Sequence, residues 1–216
     1  MKLKETLSSF KGATNEKELQ LRFQELAPAF LYSGFIQIRN DYKVYIRTVE
    51  FYFHSEMPDG IHDPIVYHRN ARDCDGNILT KVPYFPIMTL HAHNSGFDIT
   101  FESETDGGYR ASALIRSYEI KDNEGNYLKW DKDKCIFVKS LEYCFNTQST
   151  YLYFLLNGFS LDNSNDIIWK DQVLKQSLPM LQKTRQNVFQ SKCEFVYKKK
   201  EDRCDRLWSF TREEQV

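Results

Sequence analysis

All five histidines of this 216-residue chain lie between positions 54 and 93. They are His54, His62, His68, His91 and His93. Histidine is the side chain that most readily serves as an acid, a base or a metal ligand near neutral pH. Scattered histidines are usually packing or surface residues, whereas this concentration in one part of the chain predicts a site.

Strand-like alternation around these histidines would bring several reactive side chains to a common face. Residues two apart in a strand point to the same side of a sheet. The predicted site face therefore carries Thr48, Glu50, Tyr52 and His54 from one strand, His91 and His93 from a second, and Ser112, Leu114, Arg116 and Tyr118 from a third. If these strands are neighbours, a carboxylate, a phenol, a guanidinium and two imidazoles converge in one cleft.

Metal binding is one chemistry that such a cleft supports. His91 and His93 form an H-x-H pair, and further ligands for Zn²⁺ or Fe²⁺ could come from Glu50, His54, His62 or His68. A bare H-x-H arises easily by chance, and hydrogen-bonded histidines lining a cleft would give the same pattern. Arg116 would be repelled by a metal ion. We therefore predict no metal, with a cupin-like metal-dependent enzyme as the alternative.

The elements that must position these residues indicate one α+β domain with a curved antiparallel sheet flanked by helices. Residues 1–15 are predicted to be weakly ordered, and residues 16–216 to form the domain. Helices are predicted at 16–26 (ending at Pro28), 151–156 and 167–182, and strands at 35–39, 42–54, 87–93, 97–102, 109–120 and 193–197, with a further element of unassigned type at 135–142. The connection over residues 55–87 is long for a compact domain and is predicted to be functional.

Composition limits the partners and the compartment. The net charge of −1 gives no global signature for nucleic acid, so DNA binding would need a local basic face. Five widely spaced cysteines, no leading apolar signal segment and no long apolar stretch predict a cytoplasmic monomer that is not in a membrane.

The order of several segments resembles the 3-methyladenine (methylpurine) DNA glycosylase family. The segments are LAPAFL (26–31), RTVEFY (47–52), DPIVYHRN (63–70), MTLHAH with SG (88–96), ALIRSYE (113–119), TRQNV (184–188) and EFV (194–196), with Trp208 near the end. RTVEFY is similar to that family's strand bearing the catalytic glutamate, and ALIRSYE to its V-L-I-R-A-x-E strand. The resemblance covers much of the chain, although each segment alone is short.

This resemblance implies a set of roles. Glu50 would be the general base that activates a water for attack on C1′ of a flipped nucleotide, and Arg116 would hold Glu50 and the water. Tyr52 and His68 would contact the flipped base, and His93 would replace a stacking tyrosine beside His91. No cofactor is implied. From charge alone, the residues predicted to contact DNA are Arg69, Arg72, Lys198, Lys199 and Lys200.

The sequence departs from the family pattern at several positions, so alternative functions have to be considered. Ser95 stands before Gly96 where the family has an intercalating tyrosine, and histidines replace a tyrosine pair at 91 and 93. The identity of the base is therefore not inherited with the resemblance. A catalytically inactive protein that binds nucleic acid or another ligand is an alternative, as is a Glu50–Arg116 ion pair that only supports the sheet.

Overall fold

A computed structural model describes residues 2–147 apart from positions 64, 67, 74, 94, 95 and 106, and residues 167–172, 179–185, 195–196, 199–200 and 206–213. The helices are α1 (Leu3–Ser9) and α2 (Glu16–Leu31). The strands are β1 (Gly34–Ile38), β2 (Tyr42–Ser55), β3 (Ala71–Arg72), β4 (Ile78–Thr80), β5 (Leu90–His93), β6 (Gly96–Thr100), β7 (Tyr109–Asp122), β8 (Tyr127–Asp131), β9 (Ile136–Ser140), β10 (Ile167–Asp171), β11 (Met180–Lys183), β12 (Phe195–Val196), β13 (Lys199–Lys200) and β14 (Ser209–Arg212).

Most of the described strands form one antiparallel sheet around the long pair β2 and β7. Its main order is β10-β1-β2-β7-β6-β5, and β14 pairs with both β2 and β11 while β8 pairs with β7 and β9. Beside β7, the first part of β2 pairs with β1 and the later part with β14. The predicted class, α+β with a curved antiparallel sheet, is confirmed.

Helix α2 covers one face of this sheet and builds the core there. Asn15 caps its first turn by accepting a hydrogen bond from the Glu18 amide at 2.9 Å. The Phe23 ring stacks on Phe51 of β2 at 4.6 Å, and the Phe30 ring meets Phe51 edge-on at 5.6 Å. Aromatic pairs at these distances are favourable beyond the area they bury. The opposite face of β2 and β7 is therefore left for polar chemistry.

Two expectations for the first 31 residues are wrong. Residues 1–15 are not uniformly weakly ordered, because α1 lies within them and buries Leu3 and Leu7 against the core. Helix α2 does not end at Pro28 but continues to Leu31. Proline removes one hydrogen bond from a helix, and the burial of Phe30 and Leu31 offsets the free energy lost with that bond.

The helix predicted over 167–182 is also wrong, because strands β10 and β11 occupy its described ends. β10 pairs with β1 near the start of the chain, and β11 pairs with β14 near its end. Strands elsewhere in the sequence therefore determine the conformation of both segments. The helix predicted over 151–156 lies outside the described residues. The predicted strands over 35–39, 42–54, 87–93, 97–102 and 109–120 correspond to β1, β2, β5, β6 and β7.

Two compensating bulges interrupt the pairing of β2 with β7. Ile46 pairs with Tyr118, Thr48 with Ser117, and Val49 with Ile115. Arg47 is thus the extra residue in β2, and Arg116 is the extra residue in β7. Each bulge reverses the alternation of its strand, and bulges commonly re-aim side chains next to functional sites. The expectation that Tyr118 shares the site face is wrong for this reason, since Tyr118 is buried in the core.

No helix within the described part of the chain is long and apolar enough to cross a membrane. Of the cysteines, Cys135 and Cys144 are free thiols in the described residues.

Candidate functional site

A row of side chains crosses the sheet on the face opposite α2. Glu50 of β2 is in register with Leu114 of β7, Leu114 with Asp98 of β6, and Asp98 with His91 of β5. Adjacent strands lie about 4.8 Å apart, so the Glu50 and Asp98 backbones are separated by roughly 10 Å. The three predicted strands therefore lie in one sheet, with β6 between β7 and β5, and Leu114 separates the Glu50 side of this face from the histidine side.

Glu50, Tyr52 and Arg116 form a closed hydrogen-bonded triangle. The Arg116 Nε donates to Glu50 Oε2 at 2.6 Å, and the Tyr52 hydroxyl donates to the same oxygen at 3.0 Å. The Arg116 Nη2 lies 3.2 Å from the Tyr52 hydroxyl oxygen, which completes the triangle. Glu50 is fully buried, whereas the Arg116 side chain keeps 15 % of its surface exposed. The bulge at Arg116 aims the guanidinium back along the sheet to reach Glu50.

Electrostatics keep the partners of Glu50 in their hydrogen-donating forms. Burial raises the pKa of Tyr52, and the nearby Glu50 carboxylate raises it further, so the phenol stays protonated. Burial lowers the pKa of Arg116, but Tyr52 and Glu50 raise it by more, so the guanidinium stays charged.

A second set of charges lies behind Tyr52. The Arg185 guanidinium lies 4.8 Å from the Tyr52 ring centre and donates to the buried Asp63 carboxylate at 2.5 Å. Arg206 lies 3.5 Å from the same carboxylate and donates to the His62 carbonyl at 2.9 Å. Burial raises the pKa of Asp63, but the two arginines lower it by more, so Asp63 remains a carboxylate. Tyr52 is therefore held at its hydroxyl and on its ring, and only 8 % of it is exposed.

The histidines on the other side of Leu114 form a line of rings. His68 lies 5.6 Å from His91, and His91 lies 5.9 Å from His93, measured between ring centres. Carboxylates hold both ends of the line: Glu102 pairs with His68 Nδ1, and Asp98 Oδ1 lies 3.3 Å from His93 Nε2. The His68 and His93 side chains are buried, with 2 % and 8 % of their surface exposed, whereas His91 is partly exposed, so His91 is the ring of this line that can contact a ligand.

Ionisation differs along this line. Burial lowers the pKa of His91, against an opposing effect of Asp98. Burial raises the pKa of Asp98, but its hydrogen bond to His93 lowers it by more, and the Ser112 hydroxyl donates to its other oxygen at 3.0 Å. The histidine side of the face therefore carries a fixed carboxylate that orients His93.

His54 and His62 belong to the anchoring of the 55–87 connection. His54 Nδ1 accepts a hydrogen bond from the Asp63 amide at 3.2 Å, and the ring centres of His54 and His62 are 5.4 Å apart. Burial lowers the pKa of His54 to about 3, so this ring is neutral at pH 7. Among the described residues, no group of three or more His, Cys, Asp or Glu side chains could hold a metal ion. The absence of a metal stays a prediction.

The predicted DNA-binding residues are placed differently from one another. Arg72 donates to the Gly76 carbonyl at 2.8 Å and to a Glu56 carboxylate oxygen at 3.1 Å, so it anchors the connection internally. Arg69 lies on the same connection, with Nη1 3.5 Å from the Asn70 carbonyl. Lys198 lies outside the described residues. Lys199 and Lys200 form β13, and the positions of their side chains lie outside the described part.

Sequence reasoning missed several residues that hold the site. Asp98 and Glu102 interrupt the otherwise apolar segment that contains β6, and charged residues in such a segment indicate buried pairs. Arg110 is equally buried and bonds Glu102 at 3.0 Å. Asp63 and Arg185 had no such signal, because they are 122 positions apart.

Comparison with known proteins finds no family model, no curated protein and no solved structure that matches this chain.

Proposed function

We propose that this protein is a DNA glycosylase-like hydrolase, which flips a modified base out of a duplex and cleaves its N-glycosidic bond. The observation that carries the proposal is the geometry of Glu50. Its buried carboxylate accepts hydrogen bonds from Arg116 and Tyr52 at one oxygen, beside a partly exposed guanidinium. The two segments with the strongest resemblance to the glycosylase family, 47–52 and 113–119, supply all three residues.

In this reaction Glu50 acts as the general base. It accepts a proton from a water whose oxygen forms a bond to C1′, while the N-glycosidic bond breaks and its electron pair leaves with the base, which is then protonated. Arg116 holds the Glu50 carboxylate in place, because it donates along the sheet from the β7 bulge. Positioned proton transfer of this kind contributes about 10²–10⁴-fold to a rate.

The base would lie on the histidine side of Leu114. His91 is the partly exposed ring there, with the buried His93 ring beside it, and a flat ring can stack on an extruded base. Tyr52 and His68 contribute less directly than the resemblance implies, because both are buried by protein contacts. They are assigned to holding Glu50 and the histidine line.

A matched pair of substitutions tests the role of Glu50. Glu119 forms the corresponding ion pair at the other bulge: its carboxylate lies 2.8 Å from Arg47, and both side chains are 8 % exposed. Glu50→Gln and Glu119→Gln therefore make the same chemical change in two buried glutamate–arginine pairs of the same strands. If Glu50 only supports the sheet, the two variants will behave alike.

The experiment measures base release from a panel of duplexes, each with one modified base, as alkali-labile abasic sites. We expect Glu50→Gln to lower release by about 10²–10⁴-fold, while Glu119→Gln stays close to wild type. Equal release by wild type and Glu50→Gln would refute the proposal. Wild-type protein that binds the duplexes without releasing any base would instead support the inactive binding protein.

A further inference from the structure

A groove lies next to Glu50 along the same face of the sheet, where β14 meets β2. We call it the hydroxyl groove, and six of its lining residues carry the argument: Arg47, Thr48, Ser117, Phe145, Thr211 and Arg212. Its volume is about 340 Å³, near the lower end of the range of roughly 300–1,000 Å³ for small-molecule sites. This space suits a single phosphate with its sugar.

Three hydroxyl groups form a row across its floor. Thr211 pairs with Thr48, and Thr48 with Ser117, in the strand register. The Ser117 hydroxyl donates to Thr48 Oγ1 at 2.7 Å, and the Thr48 and Thr211 hydroxyl oxygens are 3.1 Å apart. Two hydrogen bonds use two of the three hydroxyl protons. The remaining proton, on Thr48 or Thr211, is available to an acceptor in the groove.

Arg212 adds a cation to the same groove. Its guanidinium lies 5.1 Å from the Tyr32 ring centre, and within the described residues it has neither a hydrogen bond nor an ion pair. Arg47, in contrast, is paired with Glu119 and Tyr143. Glu213 also lines the groove. The charge of Arg47 is balanced by Glu119, and Arg212 is the one groove arginine without an ion pair in the described residues. The donors of Arg212 are thus the ones available to bind an anion.

The position of the groove relates it to the Glu50 site. Thr48 is two residues from Glu50 on the same face of β2, a separation of roughly 6.7 Å along a strand. Phe145 forms part of the groove wall with 45 % of its surface exposed, and Arg47 lies 5.4 Å from its ring centre. An exposed aromatic ring beside a cation is the usual arrangement for binding an unpaired nucleotide.

We propose that the hydroxyl groove binds a backbone phosphate of DNA next to the flipped nucleotide, with Arg212 and the free hydroxyl proton as donors and Phe145 beneath a neighbouring base. This inference rests on the proposed function, because it takes the nucleotide at Glu50 as its reference. The groove supplies the phosphate contact that the internally paired Arg72 does not.

Fluorescence anisotropy tests the phosphate contact without any reaction. The probe is a labelled DNA duplex with one unpaired nucleotide, and a second duplex carries uncharged methylphosphonates at the two phosphates flanking that nucleotide. The variants are Arg212→Gln, Thr211→Val and, as a control, Arg39→Gln. Arg39 is an exposed arginine after β1 and outside the groove, so the control removes the same charge elsewhere.

We expect Arg212→Gln to weaken binding about tenfold, as for a lost hydrogen bond to a charged group, and to reduce the salt slope by about one. Thr211→Val should weaken binding about threefold through loss of one hydroxyl. Arg39→Gln should change the affinity and the salt slope only by the small amount expected when one charge far from the groove is removed. The methylphosphonate duplex should weaken wild type as much as Arg212→Gln does, and should weaken that variant no further.

Three outcomes would overturn the inference: Arg212→Gln binding like Arg39→Gln, methylphosphonates weakening both proteins equally, or no wild-type binding at low salt. Because the probe is not cleaved, the result is independent of Glu50. Dependence of binding on Arg212 without base release would overturn the proposed function alone. Glu50-dependent base release with unchanged binding by Arg212→Gln would overturn the groove alone.

Discussion

Arg110→Met would remove the main connection between the sheet and the long 55–87 segment. The Arg110 guanidinium is fully buried and donates to Glu56 at 3.1 Å, to Glu102 at 3.0 Å and to the Val82 carbonyl at 2.6 Å. It also lies 3.5 Å from the Tyr84 ring centre. Methionine has comparable length but no charge or donor, so the substitution leaves two buried carboxylates without this cation.

The loss can be estimated from these contacts. Breaking a buried ion pair by removing one partner costs about 3–5 kcal/mol. Glu56 keeps Arg72 as a second partner at 3.1 Å, whereas Glu102 keeps only the ring of His68 among its described ion pairs. We therefore place most of the cost at Glu102. For a chain of this size the melting temperature should fall by roughly 6–20 °C.

Urea unfolding followed by circular dichroism measures the change directly. Lys81→Met is the control, because Lys81 lies in the same segment and its pair with Glu104 is 3.8 Å long with both side chains mostly exposed. The control should change stability by no more than about 0.5 kcal/mol. Adding Glu102→Gln to Arg110→Met should recover part of the loss, since it removes the unpaired carboxylate. A loss below about 1 kcal/mol, or no recovery in the double variant, would refute this account of Arg110.

Two further predictions concern Asp63 and helix α1. Because Arg185 and Arg206 hold the pKa of Asp63 below its usual 3.8, this carboxylate should stabilise the fold above about pH 4 and cease to do so as the pH falls through its folded pKa. The difference in unfolding free energy between wild type and Asp63→Asn should therefore shrink from pH 5 to pH 3, and a constant difference would contradict the assigned ionisation. Leu7→Ala should cost about 2–5 kcal/mol, because Leu7 is 1 % exposed within the core; an unchanged urea midpoint would show that α1 does not contribute to the fold.

Local patterns predicted the elements whose structure is decided locally. The alternation of Val49, Phe51 and Phe53 placed β2 correctly and predicted which of its side chains face the core. The start of α2 was also predictable, because Asn15 caps a segment with helical spacing. Strands β10 and β11 were not predictable in the same way, since their five and four residues are stabilised by partners elsewhere in the chain.

The candidate site was predictable in its residues but not in its arrangement. Glu50, Tyr52 and Arg116 follow from their segments, and His91 with His93 follows from the alternation. The pairing of Arg116 with Glu50, 66 positions apart, was expected only through the family resemblance, and the pairing of Arg185 with Asp63 was not expected at all. Burial makes these pairs consequential, because a charge removed from water must find a partner. Composition reveals the charges but not which of them meet.

The two bulges explain why an unbroken alternation could not reproduce the whole face. Before them, Val44 and Ile46 face the core; after them, Val49 and Phe51 do, so the parity of β2 changes at Arg47. In β7 the change occurs at Arg116, and the register is restored beyond both positions. A single bulge would have put one strand out of register with the other, whereas the compensating pair leaves the core intact on both sides.

Both extra residues are arginines that pair with buried glutamates, Arg47 with Glu119 and Arg116 with Glu50. The irregularity therefore places two glutamate–arginine pairs on the polar face, one at Glu50 and one beside the hydroxyl groove.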